Sequence, residues 1–141
     1  MDNPAGLATS GFDQLVGLDL YEASGDVVRA RLEIRPDLHQ PYGIVHGGVY
    51  CSVIESTASV GGALWFGERT SGRGQTVGVG NHTTFLRSAR AGVLEVEAKP
   101  LHRGRTQQVW FVTITDADGR GIAHGQVRLA NISDPDVLGT A

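Results

Sequence analysis

In the stretch HGGVYCSVIESTASVGGALWF, residues 46–66, Glu55 is the only charged side chain if the histidine is set aside. On a helix, Gly48, Ser52, Glu55, Ser59 and Gly62 fall on one face by the i+3/i+4 rule. Every neighbour of the carboxylate on that stripe is small or hydroxylic, which leaves room for a molecule to approach. Directly before the stripe, His46, Gly47 and Gly48 would expose the unsatisfied N–H groups of a helix start. Together with the positive end of the helix dipole, these suit an oxygen that gains negative charge. A carboxylate, a donor-rich helix start and an open lane are the parts needed for attack on a polarised carbonyl. Taken alone, Glu55 is read equally well as the partner of an arginine or a backbone amide across an interface; the combination of features favours chemistry.

The elements that must position these groups are legible in outline. Residues 1–20 read as a loose segment ending in a short helical turn. VVRARLEI, residues 27–34, alternates Val28, Ala30, Leu32 and Ile34 with Arg29, Arg31 and Glu33, the pattern of a strand with one wet face. Gly48–Phe66 has no proline and no period-2 alternation, and it is too long for one strand; a helix of that length spans ~28 Å. Apolar residues on two of its sides predict a central, buried helix. After the GERTSGRGQ loop come four strand-like runs, TVGVGNHTTFL, VLEVEAKPL, TQQVWFVTIT and GIAHGQVRLANI, with short connections such as the DADG turn. The expected class is α+β: one domain over residues 1–141, with a strand, a central helix and a four-strand antiparallel meander, and a C-terminal tail at 132–141.

Composition narrows the function. Charged residues make up 19% and the net charge is -3, far from the basic balance that duplex nucleic acid demands. A single cysteine allows no internal disulfide and no multi-cysteine zinc site. The apolar run at 44–66 is long enough to suggest a membrane span, but its central glutamate and four glycines argue against one. The start of the chain shows no signal-peptide pattern, and the expected location is cytoplasmic. Cys51 reads as a small buried hydrophobe rather than a nucleophile. The five histidines form no pair at metal spacing, so no metal is expected.

The segments HQPYGIVHGGVYCSVIESTAS and VGVGNHTTFLRSARAGVLEVEAKPLHRGRTQQVWFVTITDADGRGIAHGQVRL together resemble the hotdog-fold acyl-CoA thioesterases of the PaaI-like and glutamate-dependent 4-hydroxybenzoyl-CoA thioesterase type. The resemblance covers roughly residues 26–131. It rests on HGG with an acid eight positions after the first glycine, then N-x-x-x-F-L-R, H-R-G-R and D-x-D-G-R. It implies an antiparallel sheet wrapped around one long helix, and hydrolysis of an acyl-CoA without any cofactor. It further implies that Glu55 is nucleophile or general base and that the Gly47 N–H polarises the carbonyl. Gln40 would assist there, His46 would orient the loop, and Ser59 would hold water.

The same resemblance implies a CoA-binding role for Gly48 and for Arg87, Arg90, Arg103 and Arg105, which with Lys99 fall within nineteen residues. Asn81, His82, Thr83 and Thr84 are expected to line the cleft between subunits. A homodimer is the implied minimum and a homotetramer the fuller assembly. One other reading is a non-catalytic acyl-CoA-binding module, which would tolerate loss of Glu55. A hydratase on this fold needs an Asp/His pair that the sequence does not show, and a purely structural dimer is the third alternative.

Overall fold

The computed structural model describes residues 10–133. Helix α1 (Gly11–Val16) leads into β1 (Leu18–Ala23) and β2 (Val28–Glu33). A 3-10 turn at Pro36–Leu38 and a loop precede α2 (Gly47–Arg69); then come β3 (Gln75–Phe85), β4 (Val93–Arg103), β5 (Gln107–Thr115) and β6 (Gly121–Ile132). All six strands form one antiparallel sheet in the order β1-β2-β4-β5-β6-β3, with α2 packed across it. This is the α+β architecture the sequence predicts.

Four sequence expectations need correction. The segment at 1–20 is not loose throughout: Leu18 and Leu20 are buried within β1, which pairs with β2. Residues 1–9 and 134–141 lie outside the described residues, but Ile132 belongs to β6 rather than to a tail. The last four strands are not a simple meander, because β3 pairs with β6 and β4 pairs with β2. Cross-strand charge explains the exchange: Arg29 and Arg31 stand opposite Glu97 and Glu95, and both pairs close as salt bridges. Strand β3, QTVGVGNHTTF, carries no formal charge to offer β2. Finally, α2 is not buried on every side. Tyr50, Val53, Ile54, Thr57, Ala58 and Gly61 face the core, while Glu55 is exposed.

The rotation of α2 is set by two glycines. A β carbon on Gly61 would lie 2.5 Å from the ring of Trp110, which is fully buried on β5. One on Gly62 would strike Leu129 and approach the Gln108 amide at 3.2 Å. Gln108 is itself buried and satisfied: its Nε2 donates to the Gly62 carbonyl at 3.1 Å and to Asn131 at 2.9 Å, and its Oε1 accepts from the Trp110 indole at 2.8 Å. The helix therefore meets the sheet backbone-close on this side, and the stripe through Ser52, Glu55 and Ser59 turns away from the core.

The sheet has two edges of different character. Strand β1 carries Asp19 and Glu22 on its edge, whereas β3 presents eleven uncharged residues, with Val79 and Phe85 half exposed and a bulge between Gly78 and Gly80. A long edge strand without charge or proline is a template for another strand.

Substitution Gly61→Ala tests the close approach. Alanine is the better helix former by about 1 kcal/mol, but its methyl would overlap an indole with no room to move. A net loss of about 1–3 kcal/mol is expected in urea unfolding, and unchanged or raised stability would show that α2 can shift.

Candidate active site

The helix start is built by His46. As N-cap it is extended (φ -63°, ψ 134°), and its Nδ1 accepts the Gly48 N–H at 2.8 Å. That bond requires Nδ1 to carry no proton. Because the cap is spent on Gly48, the Gly47 N–H has no acceptor among the described residues. A β carbon on Gly47 would lie 2.5 Å from the Phe85 ring, so the amide sits where an aromatic edge closes one side. Tyr50 packs on the same ring, centroids 5.9 Å apart. Its hydroxyl is buried without a partner among the described residues, and burial pushes its pKa up.

The loop before the helix is a tight turn held from outside. The Gln40 N–H donates to the Ile44 carbonyl at 2.8 Å, the Gly43 N–H donates to the Gln40 carbonyl at 2.9 Å, and the Gln40 side-chain oxygen accepts the Tyr42 N–H. With its oxygen used inside the turn, Gln40 has an amide NH₂ left to donate. Arg90 donates to the carbonyls of Tyr42 and Gly43 at 3.2 and 3.3 Å, and its own carbonyl meets the His39 ring at 2.8 Å. Arg90 is thus the clamp of the Gln40 loop.

Two turns into α2, Glu55 makes no salt bridge or hydrogen bond among the described residues, so no arginine of the described chain claims it. Its carboxyl lies against Gly78, where a β carbon would approach to 3.2 Å. Glu55 and Ser59 line one groove, about 510 Å³ in volume, that continues toward Gly74 and Thr76. Gly48, His46 and Ser52 line a separate hollow with Leu38 and His39.

The expected site residues therefore fall into two groups that do not converge within one chain. Strand β3 runs antiparallel to α2, and its contacts come in order: Phe85 with Gly47, Asn81 with Cys51 through an Nδ2–H bond to the carbonyl at 3.0 Å, Gly78 with Glu55. The carboxylate is held level with Gly78, one turn past Asn81, and does not reach back to the helix start. Eight residues of helix separate Gly47 from Glu55, ~12 Å along the axis.

The substrate-binding expectations are also divided. Asn81 and Thr83 are hydrogen-bonded to each other at 2.7 Å on the helix side of β3, and strand alternation sends His82 and Thr84 to the opposite face. Within one chain the four are divided between the two faces of β3. The arginines sit at opposite ends of β4, roughly 33 Å apart for an eleven-residue strand. Arg87 and Arg90 are near its start, Arg103 and Arg105 near its end. Arg103 is committed to Asp26 at 2.8 Å, to the Gly25 carbonyl and to the face of Trp65 at 5.5 Å. Sequence reasoning gave no role to Asp13, Tyr50, Gly78 or Phe85, although the last three stand in the segments that carry the resemblance.

A family profile, the thioesterase superfamily, matches residues 42–123, which include the helix start, Glu55 and strands β3 to β5. The chain belongs to the thioesterase superfamily. This superfamily member is 50% identical over 132 residues to a Mycobacterium tuberculosis protein provisionally named an esterase, Rv1847, covering 93% of this chain and 94% of the relative. The solved structure of that protein matches with a TM-score of 0.81, covering 86% of this chain and 95% of that one. The 1,4-dihydroxy-2-naphthoyl-CoA hydrolase of Escherichia coli is 37% identical, covering 81% and 83% of the two chains. The crystal structure of S. sahachiroi AziG matches with a TM-score of 0.83 at 45% identity, covering 87% and 97%. Thioesterase structures, including one from Haemophilus influenzae, share the fold, so the architecture is the hotdog fold that the sequence resemblance implies. Among the described residues no helix is long and apolar enough to cross a membrane.

The cap gives a direct test. His46→Ala is expected to lower stability by about 1 kcal/mol in chemical denaturation, while His46→Asn, which can also cap, holds near wild type. Equal losses in both would mean that the imidazole does more than cap.

Proposed function

We propose that this superfamily member hydrolyses acyl-CoA thioesters in sites built from two copies of the chain. The observation that carries the reading is the separation of Glu55 from the Gly47 amide along one helix, with each left unpaired among the described residues. Two α2 helices that run antiparallel and cross near Cys51 would set the start of each beside Glu55 of the other. The uncharged edge of β3 gives two chains a seam on which to join, as a dimer that can pair further into a tetramer. The CoA-ester hydrolase among the relatives supports the substrate class.

In this mechanism the thioester carbonyl oxygen takes the Gly47 N–H and the Gln40 NH₂ of one chain. The Glu55 carboxylate of the other chain removes a proton from a water that attacks the carbonyl carbon, or attacks that carbon itself to give, once the thiolate leaves, an anhydride that water then hydrolyses to the free acid. Negative charge gathers on the oxygen at the helix start, where the dipole and the amide are already oriented, so no reorganisation is required. The carbon–sulfur bond then breaks and CoA leaves as thiolate, which takes up a proton to give the thiol. Thiolate is a good leaving group, so a strong acid at sulfur is unnecessary. In the water route Ser59, one turn beyond Glu55, holds the attacking water. Glu55 is exposed in one chain, and the second chain would cover it.

The test is thiol release from a panel of short, long, branched and aromatic acyl-CoAs. Glu55→Gln is expected to reduce kcat by about 10²–10⁴-fold with an unchanged circular dichroism spectrum. Release at the wild-type rate from Glu55→Gln would remove the carboxylate from the chemistry, and binding of acyl-CoA by the wild type with no release from any of the panel would leave a binding module.

A further inference from the structure

Residues 89 and 90, which follow β3, grip the loop that carries Gln40 on both of its flanks. On one flank the Arg90 carbonyl accepts from the His39 ring Nε2 at 2.8 Å. On the other the Ala89 carbonyl accepts the Val45 N–H at 2.9 Å. His39 and Val45 face each other as an isolated antiparallel bridge, so the loop is closed at its base. Its tip is closed by the Arg90 side chain, whose Nη1 donates to the carbonyls of Tyr42 and Gly43 at 3.2 and 3.3 Å.

The tip depends on that side chain. Gly43 takes a left-handed φ of 77°, and a β carbon there would stand 3.2 Å from Arg90 Nη1, so the guanidinium lies flush against the backbone. Tyr42 is 82% exposed, and its ring does little to anchor it. It is held through its backbone instead: Arg90 takes the carbonyl, and the Gln40 side-chain oxygen takes the N–H. Hydrogen bonds thus run from Arg90 through Tyr42 to the Gln40 amide, and fixing the oxygen of that amide fixes the direction of its NH₂. On its other side Arg90 borders a hollow of about 400 Å³ shared with Asp116, Asp118 and Arg120. Arg120 pairs with both acids, at 2.8 and 3.3 Å. Two carboxylates set against two guanidiniums leave the hollow without the excess positive charge that favours a phosphate.

We propose that Arg90 is a positioning residue for the hydrolysis, setting the Gln40 amide through the Tyr42 backbone, rather than a ligand of the CoA phosphates. This rests on the thioesterase reading above and moves the action of Arg90 from the leaving group to the carbonyl.

The probes are the acyl-CoA of the panel that the wild type releases fastest and the pantetheine thioester of the same acyl group, which carries no phosphate. They are compared on the assembled wild type, Arg90→Ala, Arg90→Lys, Gln40→Ala and the Arg90→Ala/Gln40→Ala double variant. Losing a carbonyl donor outright costs about 10²-fold or more, and a donor no longer held in place should cost part of that, about five- to tenfold. Arg90→Ala is therefore expected to lower kcat for the acyl-CoA by that factor with KM changed less than about twofold, and kcat/KM for the pantetheine thioester by the same factor. In the Gln40→Ala background the same substitution should cost nothing further. Arg90→Lys keeps the charge but not the fork, and should show the same pattern with a smaller loss. A loss confined to the acyl-CoA and carried by KM would make Arg90 a phosphate contact and overturn the proposal. An equal loss with and without Gln40, or wild-type kinetics in Arg90→Lys, would overturn it too, and each of these results leaves the thioesterase reading intact. No release from any acyl-CoA by the wild type would overturn both.

Discussion

The indole of Trp110 occupies the space a side chain at Gly61 would need, and Gln108 binds the carbonyl of Gly62 from the same side. That contact fixes the rotation of α2 about its own axis, and the remaining features depend on it. With the glycines turned inward, helical periodicity leaves Ser52, Glu55 and Ser59 turned away from the core. The same rotation lays Glu55 against Gly78, a position on β3 where a side chain would crowd the carboxyl. A polar network at the centre of the sheet thus decides where the Glu55 carboxylate points. Its members are mutually satisfied, which is what a buried polar cluster needs to specify one arrangement.

The second constraint is geometric. A straight helix cannot bring its first amide and a carboxylate two turns later onto one carbonyl when the carboxylate is held level with Gly78. The cap on Gly48, the tight turn at Gln40 and the clamp from Arg90 prepare one end of α2 to receive an oxygen. In the proposed mechanism, the groove at Glu55, Ser59 and Thr76 receives the acyl carbon and what lies beyond it. On the proposed reading, each half is completed by the other from a second chain.

Much of this was legible in the residues. Spacing alone placed Gly48, Ser52, Glu55 and Ser59 on one face, because side-chain period on a helix is local and unaffected by what packs against it. The alternation in β2 likewise needed no tertiary knowledge. What was not legible depended on partners distant in sequence. Strand β1 is short and mixes Asp19 and Glu22 with its leucines, so its strand character comes from pairing with β2. The position of β3 beyond β6 is decided by charge complementarity between β2 and β4. The arginines that cluster in sequence are separated by the length of β4, since nearness along a strand is distance in space. Asp13 was invisible because α1 meets Ser56 only after the fold is formed.

The central claim is that each site draws Gln40 and Gly47 from one chain and Glu55 from the other, and mixed subunits test it most directly. Chains carrying Glu55→Gln and chains carrying Gln40→Ala, each impaired alone, are unfolded together, refolded and assayed for thiol release. In a hybrid dimer the account puts both substitutions in one site and leaves the other intact. Random pairing should then restore about a quarter of wild-type activity, well above either parent. Activity no higher than the average of the two parents would mean that the residues work within one chain, and would contradict the account.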